Sequence, residues 1–369
     1  MLGKAAAMAR PLLLLLLLPP PPPAPAATAA PCPPRPNATR YVCAEATLSA
    51  FPADLPRATL AVSVEFTALA RLAPDALASL PRLRELHLAG NRLSGLPEGL
   101  LRPAPALRVL DLTGNALADL PAAFFAGARR LRHLVLRANR LRALRPGSFA
   151  PLAELRWLDL AENRLAEVPP GALHPLRSLR VLDLSRNLLT RLPADLLAGL
   201  PALQRLDLEG NRLNALPAAL FVPTPALGYL FLQDNGLSAL PAGLFRPLRR
   251  LRVLDLARNG LRELELPPPP RSGRPALALD ISGNPWACEC RLLGLLRRAA
   301  PELVAGPAAR CASPASLRGQ PVAAAALAGA CQPSGDEPPL GTSAPCCSGP
   351  PQPSSPGETE AGSAAAAAA

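Results

Sequence analysis

Eight asparagines recur at intervals of 24 residues: Asn91, Asn115, Asn139, Asn163, Asn187, Asn211, Asn235 and Asn259. Each closes the same frame, L-x-x-L-x-L-x-x-N, read as LRELHLAGN from Leu83, LRVLDLTGN from Leu107 and LRWLDLAEN from Leu155. A fixed period of this length means that each copy is one small structural unit whose apolar side only its neighbours can cover. The chain is therefore expected to stack about ten such units into an array in which each touches only the next. Such an array exposes one long surface, suited to large partners.

The L-x-L centre of the frame has period two and reads as a short strand. Leu86 and Leu88 then point inward, while Glu85, His87 and Ala89 point out. A side-chain amide carries two donors and an acceptor, so each Asn can bond loop backbone in its own repeat and in the next. The returning half of the repeat carries Pro early and Phe late, as in LPAAFF from Leu120 and LPAGLF from Leu240. Proline there argues for extended or single-turn segments. Phe125, Phe149, Phe221 and Phe245 share one repeat position and are expected to stack as an apolar spine. The fold class is an α/β solenoid: a leucine-rich repeat horseshoe with a parallel β-sheet on the concave face and irregular or short helical convex segments.

The frame loosens at both ends. Residues 59–80 fit it with Thr67 in the Asn place and Val62 and Val64 as the inward pair. The last copy ends in Leu279, Ile281 and Asn284, one residue late, after the prolines Pro267 to Pro270.

Lys4 and Arg10, seven leucines from Leu12 to Leu18, and Ala27-Thr28-Ala29 form a basic region, an apolar region and a small-residue cleavage site. Residues 1–30 are expected to be a removed export signal. Seven leucines are too few to span a bilayer, and no later stretch is long enough, so no membrane span is expected. Eight cysteines in an exported chain point to disulfides. None lies in the repeats: Cys32 and Cys43 precede them, Cys288, Cys290, Cys311 and Cys331 follow, and Cys346-Cys347 lie in the tail. Asn37-Ala38-Thr39 is an N-glycosylation acceptor site. The expected organisation is a signal (1–30), an N-terminal cap (31–58), repeats (59–284), a cysteine-bearing C-terminal cap (285–331) and a disordered tail (332–369).

The net charge of +12 invites a polyanion reading. Yet Lys4 is the only lysine and 49 residues are Pro, which marks compositional bias and argues against nucleic acid. Heparan sulfate stays open as a partner. The outward position four before each Asn holds His87, Asp111, Val135, Asp159, Asp183, Asp207, Phe231 and Asp255, then Asp280. This row reads either as a solvated, charge-balanced face or as an acidic stripe that steers a basic partner. Arg108, Arg156, Arg180 and Arg252, seven before the Asn, are placed to offset the repulsion.

Aromatic residues are only 3% of the chain, so their placement is informative. Trp157, Tyr229 and Phe231 fall on outward strand positions, and exposed aromatics anchor protein interfaces. Trp157, Tyr229 and Phe231 with Asp159, Asp183 and Asp207 are the candidate partner-binding residues; packing among Tyr229, Phe231 and Val253 is the alternative. His87, His133 and His174 show no metal spacing, no nucleophilic triad or phosphate loop stands out, and neither catalysis nor a cofactor is expected.

LHLAGNRLSGLPEGLLRPAPALRVLDLTGNALADLP (Leu86 to Pro121), LQRLDLEGN (Leu203 to Asn211), YLFLQDN (Tyr229 to Asn235) and LDISGNPWACEC (Leu279 to Cys290) resemble the leucine-rich alpha-2-glycoprotein family. The resemblance covers roughly residues 40–330. It implies a circulating glycoprotein that binds protein partners, modulates transforming growth factor beta signalling through its receptor complex, affects vessel growth and binds cytochrome c. That family has a sparer C-terminal cap. Here Cys290 and Cys331 complete the common extracellular cap pattern, which implies the pairs Cys288–Cys311 and Cys290–Cys331; Cys32 is expected to pair with Cys43. Two rivals stand beside this reading: a matrix structural protein of the small leucine-rich proteoglycan kind, and a non-catalytic subunit of a plasma enzyme complex. The proteoglycans tend to carry four cysteines before the repeats, where this chain has two.

Overall fold

The computed structural model describes residues 38–266, 277–299 and 308–327. Eleven short strands form one sheet: β1 (Arg40–Cys43), β2 (Ala61–Val64), β3 (Glu85–His87), β4 (Val109–Asp111), β5 (His133–Val135), β6 (Trp157–Asp159), β7 (Val181–Asp183), β8 (Arg205–Asp207), β9 (Tyr229–Phe231), β10 (Val253–Asp255) and β11 (Ala278–Asp280). They follow one another in chain order across the sheet, and every pairing is parallel. The register repeats with the frame, Leu110 beside Leu134 and Leu134 beside Leu158. The late final copy is absorbed without a bulge: Leu254 pairs with Leu279. β1 was read only as part of a cap; it extends the sheet by one strand.

The strand leucines face a continuous core. Leu86, Leu134, Leu158, Leu182, Leu206 and Leu230 have no solvent exposure. Each fully buried leucine contributes roughly 1.5–3 kcal/mol. Ala89, expected outward, is buried as well. Behind the sheet the chain returns in single turns. Phe124, Ala126 and Ala128 donate their backbone N–H groups to the carbonyls of Pro121, Ala123 and Phe125. These three-residue bonds close a turn without propagating a helix. Phe125, Phe149, Phe221 and Phe245 are all buried, but the expected single spine is two pairs, Phe125 with Phe149 at 5.9 Å and Phe221 with Phe245 at 6.1 Å. Leu173 and Leu197 hold the same position in the repeats between them and interrupt the aromatic stack.

The asparagines form a ladder. Asn163 donates through Nδ2 to the carbonyls of Leu136, Leu160 and Ala161 and accepts the Leu141 N–H on Oδ1. Asn91, Asn115, Asn139, Asn187, Asn211, Asn235 and Asn259 repeat the donor pattern. Thr67 ends the ladder: its hydroxyl donates to Asn91 Oδ1 and accepts from the Leu69 N–H. The residue before each ladder position adopts a left-handed conformation in all ten repeats. It is Gly90, Gly114, Gly210 and Gly283, but also Phe66, Ala138, Glu162, Arg186, Asp234 and Arg258.

A cap closes the C-terminal end of the core. β12 (Trp286–Ala287) pairs with β13 (Cys311–Ser313). A helix, α1 (Cys290–Ala299), packs against a second, α2 (Val322–Leu327). Trp286 is fully buried and its indole N–H donates to the Ile281 carbonyl at 2.7 Å. Cys288 is bonded to Cys311 across a separation of 23 residues. Cys43 and Cys290 are disulfide-bonded too; Cys32 and Cys331, their expected partners, lie outside the described residues. So do the export signal, Asn37, Cys346, Cys347 and the tail. Among the described residues no helix is long and apolar enough to cross a membrane.

Candidate protein-binding face

Two rows of side chains rise from the outer face of the sheet, because alternate residues of each strand point away from the core. The first carries Glu85, Val109, His133, Trp157, Val181, Arg205, Tyr229 and Val253. The second carries Ser63, His87, Asp111, Val135, Asp159, Asp183, Asp207, Phe231, Asp255 and Asp280. The six candidate binding residues are thus neighbours over β6 to β9. Trp157, Tyr229 and Phe231 are half-buried.

The aspartates depart from expectation. Asp159 and Asp207, expected to point outward on either a solvated face or an acidic stripe, are 8% and 6% exposed. Each aspartate of the row accepts the backbone N–H two residues on: Asp111 from Thr113, Asp159 from Ala161, Asp183 from Ser185, Asp207 from Glu209, Asp255 from Ala257 and Asp280 from Ser282. This is an Asx turn, the local bond that an aspartate offers where a strand ends. The acidic row therefore has a structural cause in every repeat that carries it. The sign is in the sequence, as D-L-x with the aspartate three residues before the left-handed position.

Burial, with neighbouring charge, raises three of these carboxyls. Asp159 is pushed up to about 6, mainly by burial and then by the charge of Asp183. Asp207 is also raised to about 6, by burial and then by Asp183. Asp255 reaches about 6 chiefly through burial. The arginines expected to compensate, Arg108, Arg156, Arg180 and Arg252, form no ion pair with the row among the described residues. The compensating charges come from elsewhere: Arg205 bonds Asp207 at 3.0 Å, and Arg137 lowers Asp159 through space. Arg205 also lies over the Phe231 ring, 4.3 Å from its centroid. His133 is held below its ordinary value, first by burial and then by Arg156 and Arg132.

The loop edge beside this face is a chain of charge pairs. Arg137 meets Glu162, Arg186 lies between Glu162 and Glu209, and Asp234 pairs with Arg258. The histidines were read as lacking metal spacing along the chain. Across the sheet, however, His87 stands beside Glu65 and Asp111.

Parallel strands in chain order, an asparagine ladder and cysteine-closed ends define a leucine-rich repeat solenoid with an open sheet face. The chain belongs to the Leucine rich repeat family, whose pattern matches residues 61–117, 105–165, 155–213 and 203–261, more than half of its length. It is 49% identical over 74 residues to phospholipase A2 inhibitor beta of Elaphe climacophora, which is 19% of this chain and 22% of that protein. It is 47% identical over 74 residues to a phospholipase A2 inhibitor of Gloydius brevicaudus siniticus, with the same coverage. The matched segment spans about a fifth of either relative. Among solved structures, a chain of the octameric complex of Latrophilin 3, Unc5D and FLRT2 matches with a TM-score of 0.62 at 26% identity, covering 77% of this chain and 79% of that one. A Leptospira interrogans LRR protein matches with a TM-score of 0.55 at 24% identity, over 70% of this chain and 76% of that one. This second likeness shows the fold alone.

Proposed function

We propose that this protein is an exported, non-catalytic binding protein that captures a protein partner on the sheet face over β6 to β9. One observation carries the reading: Trp157, Tyr229 and Phe231 are half-buried on the same face and flank Asp159, Asp183 and Asp207 on three neighbouring strands. Rigid aromatics at the centre of a patch supply most of the energy of an interface. Acidic neighbours steer a basic partner and set the rate of encounter. The disulfide in the C-terminal cap supports an extracellular setting, as does the leader-like segment before residue 31.

The partner proposed first is the transforming growth factor beta receptor complex, with a consequence for vessel growth and with cytochrome c as a further ligand. That choice rests on the resemblance carried by Leu86 to Pro121 and Tyr229 to Asn235. Likeness to the phospholipase A2 inhibitors favours a second reading, in which the bound protein is a phospholipase A2. Heparan sulfate would act as a weaker, salt-sensitive partner of the arginine-rich surface.

Surface plasmon resonance of the mature chain against receptor ectodomains, cytochrome c and a secreted phospholipase A2 separates these readings. Saturable receptor binding supports the first. Capture of the phospholipase alone transfers the function to the second. Failure of all three removes both.

A further inference from the structure

Glu65, His87 and Asp111 come from three consecutive repeats at the N-terminal end of the sheet. His87 and Asp111 are register partners on β3 and β4, so their side chains stand together on the outer face. Ser63 is the partner of His87 on β2, and Glu65 follows that strand directly. One ligand atom from each of Glu65, His87 and Asp111 lies within 4.8 Å of the others, and all three residues are half-buried. We propose that this cluster binds one divalent transition ion of the Zn2+ kind.

The donor set favours that class. One imidazole nitrogen and two carboxylate oxygens suit Zn2+, whereas Ca2+ and Mg2+ prefer oxygen alone. Each carboxylate is held through one oxygen, leaving the other for the ion. Ser63 Oγ donates to Glu65 Oε2 at 2.6 Å. The Thr113 N–H and Oγ1 donate to Asp111 Oδ1 at 2.9 and 2.6 Å. Outer contacts of this sort orient metal ligands. The ring nitrogens of His87 take part in no hydrogen bond among the described residues, so either can serve as donor.

Charge points the same way. No cation pairs with Glu65 or Asp111 among the described residues, whereas Asp207 has Arg205. The nearby Arg40 is bound to Glu85 instead, at 2.9 Å. Two acidic side chains without a cation partner are the setting in which a divalent ion supplies the missing positive charge. Three protein ligands leave a fourth tetrahedral position open. It lies on the open sheet face, where water or a carboxylate of a bound protein completes the shell.

The test is isothermal titration of the untagged mature chain with ZnCl2 after chelator treatment. One ion per chain is expected. His87→Ala should weaken binding by at least about tenfold, and Ser63→Ala, which frees the Glu65 carboxylate, by a similar factor. Asp280→Asn, on the same face but at the far end of the sheet, should leave binding unchanged. Co2+ in place of Zn2+ should give the visible absorption of a tetrahedral site, lost in His87→Ala. Melting of the chelated proteins checks folding; where His87→Ala melts lower, Glu65→Gln carries the same test. Unaltered titration of these variants, no ion bound by the wild type, or equal affinity for CaCl2 would overturn the proposal.

Discussion

The Arg205 guanidinium sits 4.3 Å from the centroid of the Phe231 ring and donates to Asp207 at 3.0 Å. One cation on β8 thus covers an aromatic on β9 and neutralises an acid on its own strand. The stacking alone is worth about 0.5–1 kcal/mol at a partly exposed site. Phe231 is therefore a presented ring with one face already engaged, and a partner must use the other face or displace Arg205.

Tyr229→Ala combined with Phe231→Ala is expected to weaken partner binding by at least ~2 kcal/mol, the scale of interface anchors. The melting temperature should fall only slightly, because neither side chain belongs to the leucine core. Surface plasmon resonance with a parallel melting curve reads both. Wild-type affinity with a normal melt would place the binding surface on the convex side or the caps.

Asn163→Ala should cost about 1–3 kcal/mol, because the buried Leu141 N–H and the Leu136 and Leu160 carbonyls lose their partner. Arg164 is next in sequence and exposed, and its replacement by Ala should stay within about 0.5 kcal/mol. Urea titration compares the two. Equal shifts in midpoint would mean that the ladder does not carry stability.

The raised Asp159 carboxyl has a defined linkage. Its value is 3.8 in a model peptide and about 6 in the fold, so between these limits the native state binds more protons than the unfolded chain. Stability from this group therefore falls as pH rises through that window and stays low above it. Asp159→Asn keeps an acceptor for the Ala161 N–H and removes the charge. It should stabilise the protein at neutral pH by on the order of 2 kcal/mol, with the gain vanishing near pH 4. Chemical denaturation at several pH values measures it; a gain that does not depend on pH would assign the effect to packing.

The left-handed position before each ladder residue gives a paired test. Ala138 sits at φ 55°, a region that costs a side chain roughly 1–2 kcal/mol. Glycine there loses about 0.5–1 kcal/mol in chain entropy, so Ala138→Gly should stabilise by on the order of 0.5 kcal/mol. Gly90→Ala should do the reverse and more, since a Cβ there would lie 2.4 Å from the Phe66 ring. Differential scanning calorimetry should move the two melting temperatures in opposite directions.

The period of Asn91 to Asn259 and the L-x-L centre were enough to place the strands, the buried leucines, the ladder and the single-turn return segments. These follow from the repeat itself, because a residue at a fixed frame position meets the same position of the next repeat. The frayed copies at Thr67 and Asn284 were legible for the same reason. The left-handed position was half visible, as four glycines, and half hidden, because Phe66, Ala138, Glu162, Arg186, Asp234 and Arg258 occupy it too.

What only the tertiary structure decided lies across the repeats. Whether Asp159 is solvated or buried depends on its neighbours on β5 and β7, and on an Asx bond that its charge obscured. Arg205 could be assigned to Phe231 and Asp207, and Glu65 joined to His87 and Asp111, only once strand register and side-chain reach were known. Register sets which backbones are adjacent, and periodicity reveals that. Rotamer, desolvation and competition among charges then choose the contacts, and these depend on residues that lie a repeat or more apart in the chain yet a strand's width apart in space.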